Sequence, residues 1–228
     1  MIFGNRNMIK KNKNITVKLN DENLQTVPTF KYLGFTLDST LSYNQHINNV
    51  SRNAHHKLYQ LRRINTFLTK DTSLMIFKSY ILPIIEYGNV IYNSASEKSL
   101  SKLQRLQNQS IKLCLNLDKM TPTATIHKLA NLNTLKDRRE KATIKFMFNR
   151  TKHSKFHDTS NYNIQTRSST VPKLKVPEFR SSKARNAILY SGSILWNKLN
   201  QNIKEITNKS KFSRKIDTLF KTKINNYM

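Results

Sequence analysis

At 228 residues, with 37% apolar side chains and 20 Phe and Tyr in all, the chain has enough apolar material for a core and is not a disordered tail. Its 40 Lys and Arg against 13 Asp and Glu leave a formal charge of +27, more than solubility asks for, which points to a polyanionic partner: nucleic acid first, an anionic membrane surface second. The single cysteine, Cys114, excludes an internal disulfide and a cysteine-built zinc site, and fits a reducing intracellular compartment, nuclear or cytoplasmic.

The charge is unevenly spread, with 11 basic and 3 acidic residues in 1–70, 7 and 4 in 71–133, and 22 and 6 in 134–228. The middle is therefore the expected core and the C-terminal part the strongest attractor. The start, MIFGNRNMIKKNKN, mixes apolar and basic residues without the apolar run of a secretory signal. The most apolar window, SLMIFKSYILPIIEYGNVIYN, is interrupted by Lys78, Pro83 and Glu86, which predicts a buried helix and not a membrane span.

Met1 to Phe3 and Ile15 to Leu19 alternate like short strands, with RNMIKKNKN as a hairpin tip between them. Thr29 to Leu37 predicts a third strand, with Pro28 at its edge. Three strands with nothing covering them cannot bury both faces, so the sheet reads as the end of something larger.

After Asp38 the period becomes helical. Ile47, Val50, Ala54, Leu58, Leu61, Ile64 and Leu68 form one apolar stripe, while Arg52, His56 and Arg63 fall on another face. Thr69 or Asp71 caps the next helix, whose body from Leu74 to Ile91 is apolar almost all round, hence central, with a kink at Pro83. Ser96 caps a third helix. Its buried side is Leu100, Leu103, Leu106, Ile111, Cys114 and Leu117, and Lys98, Lys102, Arg105, Gln109 and Lys112 make a basic ridge about 20 Å long along the other.

Thr121 as N-cap and Pro122 at the first helical position start a short helix through Leu129, and a longer one runs from Leu135 to about Thr151, carrying Arg138, Arg139, Lys141, Lys145 and Arg150. Residues 153–182, with two prolines and no clean period, read as a loop or linker. A terminal helical unit follows, with a second apolar stripe of Phe212, Ile216, Leu219 and Phe220. No solenoid repeat is found.

Chemistry-bearing constellations are scarce. Two-metal phosphoryl transfer needs converging carboxylates, whereas the adjacent pair Asp21-Glu22 lies in an expected turn and Asp38 reads as a turn or N-cap residue. His55 and His56 point to different sides of a helix and cannot chelate one ion together. No G-x-S-x-G, Walker glycine loop or H-E-x-x-H occurs. No catalytic and no metal-ligating residue is assigned.

The order and spacing of FKYLGFTLDSTLSYNQHI, LYQLRRI, SYILPIIEYGNVIYNSASEKSLSKLQRLQNQSIKLCLNL, TPTATIHKLANLNTLKDRREKATIKFMF and RNAILYSGSILWNKLNQNIKE resemble the C-terminal half of reverse transcriptases from non-LTR (LINE-type) retrotransposons of the jockey and CR1 kind. The resemblance covers nearly the whole chain. It implies that Phe30, Lys31, Tyr32, Leu33 and Gly34 match the primer grip, which holds the 3′ end of the growing DNA; Gly34 would let backbone approach a sugar-phosphate and Lys31 could meet a phosphate. A plain strand end, with Phe30 and Leu33 in the core, is the rival reading.

The helices that follow would be the thumb, with Tyr87 and Gly88 as recognisable marks of its core. Arg52, Arg63, Lys98, Lys102, Arg105, Lys112, Arg138 and Arg139 are then candidate contacts to the nucleic-acid backbone. The implied partners are an RNA template, a DNA primer and an upstream palm and fingers, with no membrane. No cofactor is implied for this chain, since Mg²⁺ belongs to the intact polymerase, whose carboxylates and Y-x-D-D loop would lie upstream. In the terminal L-W-N-x-L motif, Asn200 stands where the family usually has proline.

The expected fold is therefore mostly α: palm-edge strands over 1–40, a helical thumb over 41–152, a linker over 153–182 and a basic helical segment over 183–228. As a truncated reading frame, the chain would hold the duplex weakly and catalyse nothing alone. A domesticated stand-alone binding module is the alternative. A thumb cut from its palm is further expected to expose an apolar sheet face near Phe3, Val17 and Phe35.

Overall fold

The computed structural model describes residues 1–12, 16–153, 163–164, 173–178 and 187–225. The chain is mostly helical, with short strands at its N-terminal end. Where a hairpin tip was expected, Arg6–Lys11 forms a helical turn and a half, α1, because the Asn5 side chain accepts the Met8 N–H at 2.7 Å and caps it. Met1 to Phe3 is not a strand, and Ile15 lies outside the described residues.

The N-terminal strands are paired as two hairpins. β1 (Val17–Leu19) pairs antiparallel with β2 (Glu22–Leu24) across Asn20 and Asp21, both at positive φ (47° and 67°), as a type I′ turn requires. The expected single strand over Thr29 to Leu37 is instead a hairpin, β3 (Thr29–Tyr32) and β4 (Phe35–Asp38), turned by Leu33 and Gly34 at φ 45° and 83°. Glycine pays nothing for that φ, while Leu33 is strained and must be held from outside.

α2 (Asn44–Ile64) follows. Ile47, Val50, Ala54, Leu58 and Leu61 are buried as their period predicts, but Ile64 ends the helix half-exposed, and a 3₁₀ turn precedes Leu68. α3 (Lys70–Ile76) is capped by Thr69, whose hydroxyl accepts the Thr72 N–H, and not by Asp71. The chain then widens into a π turn over Phe77–Ile81 before α4 (Leu82–Glu86). Pro83 has no N–H to give the preceding turn, and a π turn is one way a helix absorbs such a defect. Phe77, Ile81, Leu82 and Ile85 are buried, but the helix stops at Glu86, and Met75 and Tyr80 face solvent, so this segment is central along one side only.

α5 (Glu97–Leu115) is capped by Ser96 as expected, and closes at Asn116 in the left-handed conformation. α6 (Thr123–Ala130) starts one residue late: Pro122, at ψ 146°, stands outside the helix as its N-cap, and Thr121 does not cap it. α7 (Leu135–His153) is started by Thr134, which accepts the Asp137 N–H and donates its own hydroxyl to the Asp137 carboxylate.

Two cores result. The first joins α2 to α6 around Ile47, Phe77, Ile85, Leu103, Ile111 and Ile126. Asn65 closes it at one end, donating to the Leu113 carbonyl and the Asn116 side chain, each at 3.2 Å, while accepting the Ser73 hydroxyl at 2.7 Å. Cys114 is fully buried there, and burial pushes its thiol up to about 12, so it stays protonated and inert. The second core forms where α7 meets α8 (Ile188–Asn197), α9 (Gln201–Lys204) and α10 (Lys209–Asn225), around Met147, Phe148, Trp196, Phe212 and Phe220. Phe148 and Phe212 stack at 4.1 Å.

Within the expected linker, β5 (Asn163–Ile164) pairs with β6 (Lys173–Leu174), and the Asn197 side chain accepts from and donates to the Leu174 backbone, at 3.0 and 2.8 Å. That stretch is therefore seated on the second core; most of 153–182 lies outside the described residues. Among the described residues no helix is long and apolar enough to cross a membrane.

Candidate nucleic-acid interface

α2 and α5 lie side by side and run the same way. Their register is set by polar contacts along the seam: Ser99 donates to Asn44 at 2.6 Å, Lys102 to Asn48 at 3.0 Å, and Asn65 to Asn116. Helical spacing puts Asn48, Arg52, His55, Tyr59 and Arg62 on one exposed stripe of α2 beside the ridge of α5, Lys98, Lys102, Arg105, Gln109 and Lys112. Six cations, Arg52, Arg62, Lys98, Lys102, Arg105 and Lys112, thus share one face about 20 Å long. α2 contains no acidic residue and α5 only Glu97, at its first position. The ion pairs formed among the described residues use Arg138, Lys141, Lys145 and Lys223 and none of these six. Tyr59, 60% exposed, adds an aromatic surface between the charges.

At the C-terminal end of this face lies a groove of about 670 Å³, lined by Arg62, Arg105, Asn108, Gln109, Lys112, Leu113, Asn116, Leu117 and Lys119. Arg62 and Lys119 escaped the sequence reading. Tandem Arg62-Arg63 gives no local sign of which guanidinium turns toward α5, since that follows from the helix pairing; Arg63 is exposed on the flank.

The hairpin sits at the opposite end. Phe35 is buried between His46 (4.7 Å) and Tyr87 (5.2 Å), and Asn49 donates to the Thr36 hydroxyl. The Tyr87 hydroxyl donates to the Leu33 carbonyl at 2.7 Å, which holds the strained turn. Gly88, at φ 62°, lies against the Phe35 ring, where a Cβ would come within 2.7 Å of both Cε atoms. Tyr87 and Gly88 are therefore the seat of the β3–β4 hairpin. Phe35, expected on an exposed sheet face, is buried here, while Phe3 and Val17 are about half-exposed.

Phe30, Tyr32 and Leu33 are exposed by 53%, 58% and 73%, so the rival reading that put Phe30 and Leu33 in a core does not hold for this chain. Lys31 is also exposed. Asp38, at the end of β4, accepts the backbone N–H groups of Thr40, Ser42 and Tyr43 and the hydroxyls of Thr40 and Ser42. Burial alone would raise its carboxyl, but these bonds outweigh it and hold the group below its ordinary 3.8. It fixes the turn into α2, where Leu41 and Tyr43 are at positive φ.

Arg138 and Arg139 are turned inward. Arg138 forms a two-pronged pair with Glu86, with Nη2 to Oε2 at 2.7 Å, and Arg139, 9% exposed, donates to Asn93 at 3.1 Å. Neither contributes to the α2/α5 face. Among the described residues no three His, Cys, Asp or Glu side chains converge, and Asp38 is committed to its turn.

The chain is 25% identical over 119 residues to a probable RNA-directed DNA polymerase from transposon BS of Drosophila melanogaster, covering 51% of this chain and 13% of that protein. It is 25% identical over 134 residues to the RNA-directed DNA polymerase from mobile element jockey of the same fly, 58% and 15% of the two lengths. The X-element polymerase is 26% identical over 110 residues, 47% and 12%. Over about half of its length the chain is thus similar to RNA-directed DNA polymerases of non-LTR retrotransposons. The matched region spans only 12% to 15% of these polymerases' own length. No family model matches the chain, and no solved structure does.

Proposed function

We propose that this chain is the duplex-holding part of a retrotransposon reverse transcriptase: the α2/α5 face grips the backbone of an RNA–DNA hybrid, and the β3–β4 hairpin, with Phe30, Lys31, Tyr32, Leu33 and Gly34, abuts the primer strand. The observation that carries the reading is the pairing of α2 with α5, which gathers six cations on a face without interspersed acid. Such a face meets phosphates by charge and shape, with no base readout, as an A-form-like hybrid requires. The hairpin adjoins the N-terminal end of that face, fixed through Phe35, His46 and Tyr87. Similarity to three RNA-directed DNA polymerases supports nucleic acid as the class of partner. The catalytic step belongs to residues outside those described.

The test compares two triple charge reversals, Lys98→Glu with Lys102→Glu and Arg105→Glu on the face, and Lys211→Glu with Arg214→Glu and Lys215→Glu on α10, which change net charge equally. Affinity for a blunt RNA–DNA hybrid should fall at least tenfold more for the first than for the second, since each lost phosphate contact removes its share of counterion release. Equal losses would mean that total charge, not this face, binds the hybrid.

A further inference from the structure

The groove at the C-terminal end of the α2/α5 face differs from the rest of that face. The ridge is convex and carries charge, whereas the groove is concave, of a volume ordinarily taken by a small ligand. Its lining supplies three kinds of contact at once. Arg62, Arg105, Lys112 and Lys119 offer cations; Gln109 and Asn116 offer amides, while the Asn108 amide is engaged with Gln104, His127 and Thr123; Leu113 and Leu117 offer an apolar floor.

Arg62 and Lys112 stand in the last turns of their helices and partly serve to offset the negative ends of the helix dipoles. Arg105 is ten residues before the end of α5 and Lys119 is beyond it, so the dipoles do not account for them. Asp118, the acid in this segment, accepts the Met120 N–H in its own turn and does not line the groove. Phe67 and Met120, each 88% exposed, project from the two chain segments that leave α2 and α5 at this end, which the Asn65–Asn116 contact holds together.

A duplex cannot enter such a groove, because its bases are stacked inside and it presents a broad convex backbone. An unpaired nucleotide can: its phosphate meets the cations, its base lies on apolar side chains, and its edge reaches the amides. We propose that this groove takes one or two nucleotides of single-stranded nucleic acid, RNA or DNA, where a strand leaves the duplex held by α2 and α5. This rests on the reading of the face as a duplex-binding surface.

The experiment measures fluorescence anisotropy of the full chain with three labelled probes at one salt concentration: a blunt RNA–DNA hybrid, the same hybrid with a short unpaired RNA overhang, and the same with a DNA overhang. The expected result is about tenfold tighter binding of at least one overhang probe than of the blunt hybrid, the stronger arm naming the strand. In the double variant Gln109→Ala, Lys119→Ala, neither of them one of the six cations of the face, that preference should disappear while blunt-hybrid affinity stays within about twofold to threefold; the double variant Lys98→Ala, Lys102→Ala should weaken all probes and keep the preference. Both variants alter exposed side chains, and circular dichroism melting confirms their fold. Binding of the blunt hybrid without an overhang preference overturns the groove alone. So does a preference that survives Gln109→Ala, Lys119→Ala. Failure to bind any probe at low salt overturns the duplex-holding reading instead.

Discussion

Replacing Gly88 by alanine tests how the hairpin is seated. The new Cβ would fall on the buried Phe35 ring, within 2.7 Å of Cε1 and Cε2, and would also sit at φ 62°, where an L side chain is strained. The backbone term costs about 1–2 kcal/mol. Forcing a methyl group into a filled site costs about 1–3 kcal/mol more, because the ring is held between His46 and Tyr87 and cannot move without breaking both stacks. Gly88→Ala alone should therefore destabilise by about 2–5 kcal/mol. In a Phe35→Ala background the clash has no partner and only the backbone term should remain. Urea unfolding of the four proteins of this cycle measures the coupling, expected at about 1–3 kcal/mol. An equal cost of Gly88→Ala in both backgrounds would refute the reasoning, since the glycine would then be needed for its φ and not for the ring.

Other consequences follow from the same contacts. Glu86→Gln leaves Arg138 without its two-pronged partner and should lower stability by about 1–3 kcal/mol, with little change in hybrid affinity because the pair faces away from the α2/α5 surface; a large affinity loss would place Arg138 on nucleic acid after all. Asp38→Ala removes the acceptor of three backbone N–H groups and should cost about 2 kcal/mol at neutral pH. Since its folded carboxyl lies below the ordinary 3.8, Asp38's contribution is present above that value and is lost as pH falls through the folded one, so acid unfolding of the variant should show a shallower decline there. Burial holds His46 and His127 below their ordinary 6.5, for His127 against the opposing pull of the Leu132 carbonyl and Asp137. The unfolded chain therefore takes up protons first, and stability present above pH 6.5 declines as pH drops beneath it; urea midpoints of His46→Gln, His127→Gln should vary less over that range than those of the parent.

The long helices could be read from the chain because their signal is local. Ile47 to Leu61 and Leu103 to Cys114 recur at helical spacing, and Ser96 and Thr69 are capping residues in the expected places. The hairpin over Thr29 to Asp38 could not, because its turn uses Leu33 at positive φ, a residue with no turn chemistry that is held by a hydroxyl 54 positions away, on Tyr87. Asn20-Asp21, by contrast, is a turn pair of ordinary kind, and the strand pairing on either side of it was legible but was read one element too far upstream.

The candidate site divides along the same line. The α5 ridge is visible as a period, and the total charge of +27 marks such a face as a binding surface. Two things depend on which helices pair: the turning of Arg62 toward α5, and the inward commitment of Arg138 to Glu86 and of Arg139 to Asn93. Partners 46 and 52 residues apart leave no mark in a local window. The π turn before Pro83 has a visible cause in the proline, but kink and π turn are alternative answers to the same missing N–H.

Most direct for the central claim is a salt titration of the parent chain with a blunt RNA–DNA hybrid. If Arg52, Arg62, Lys98, Lys102, Arg105 and Lys112 each neutralise one phosphate, log affinity should fall against log salt with a slope of about −4 to −5, and competing hybrids of unrelated sequence should bind equally well. A slope near zero, a strong sequence preference, or no binding at low salt would contradict the account.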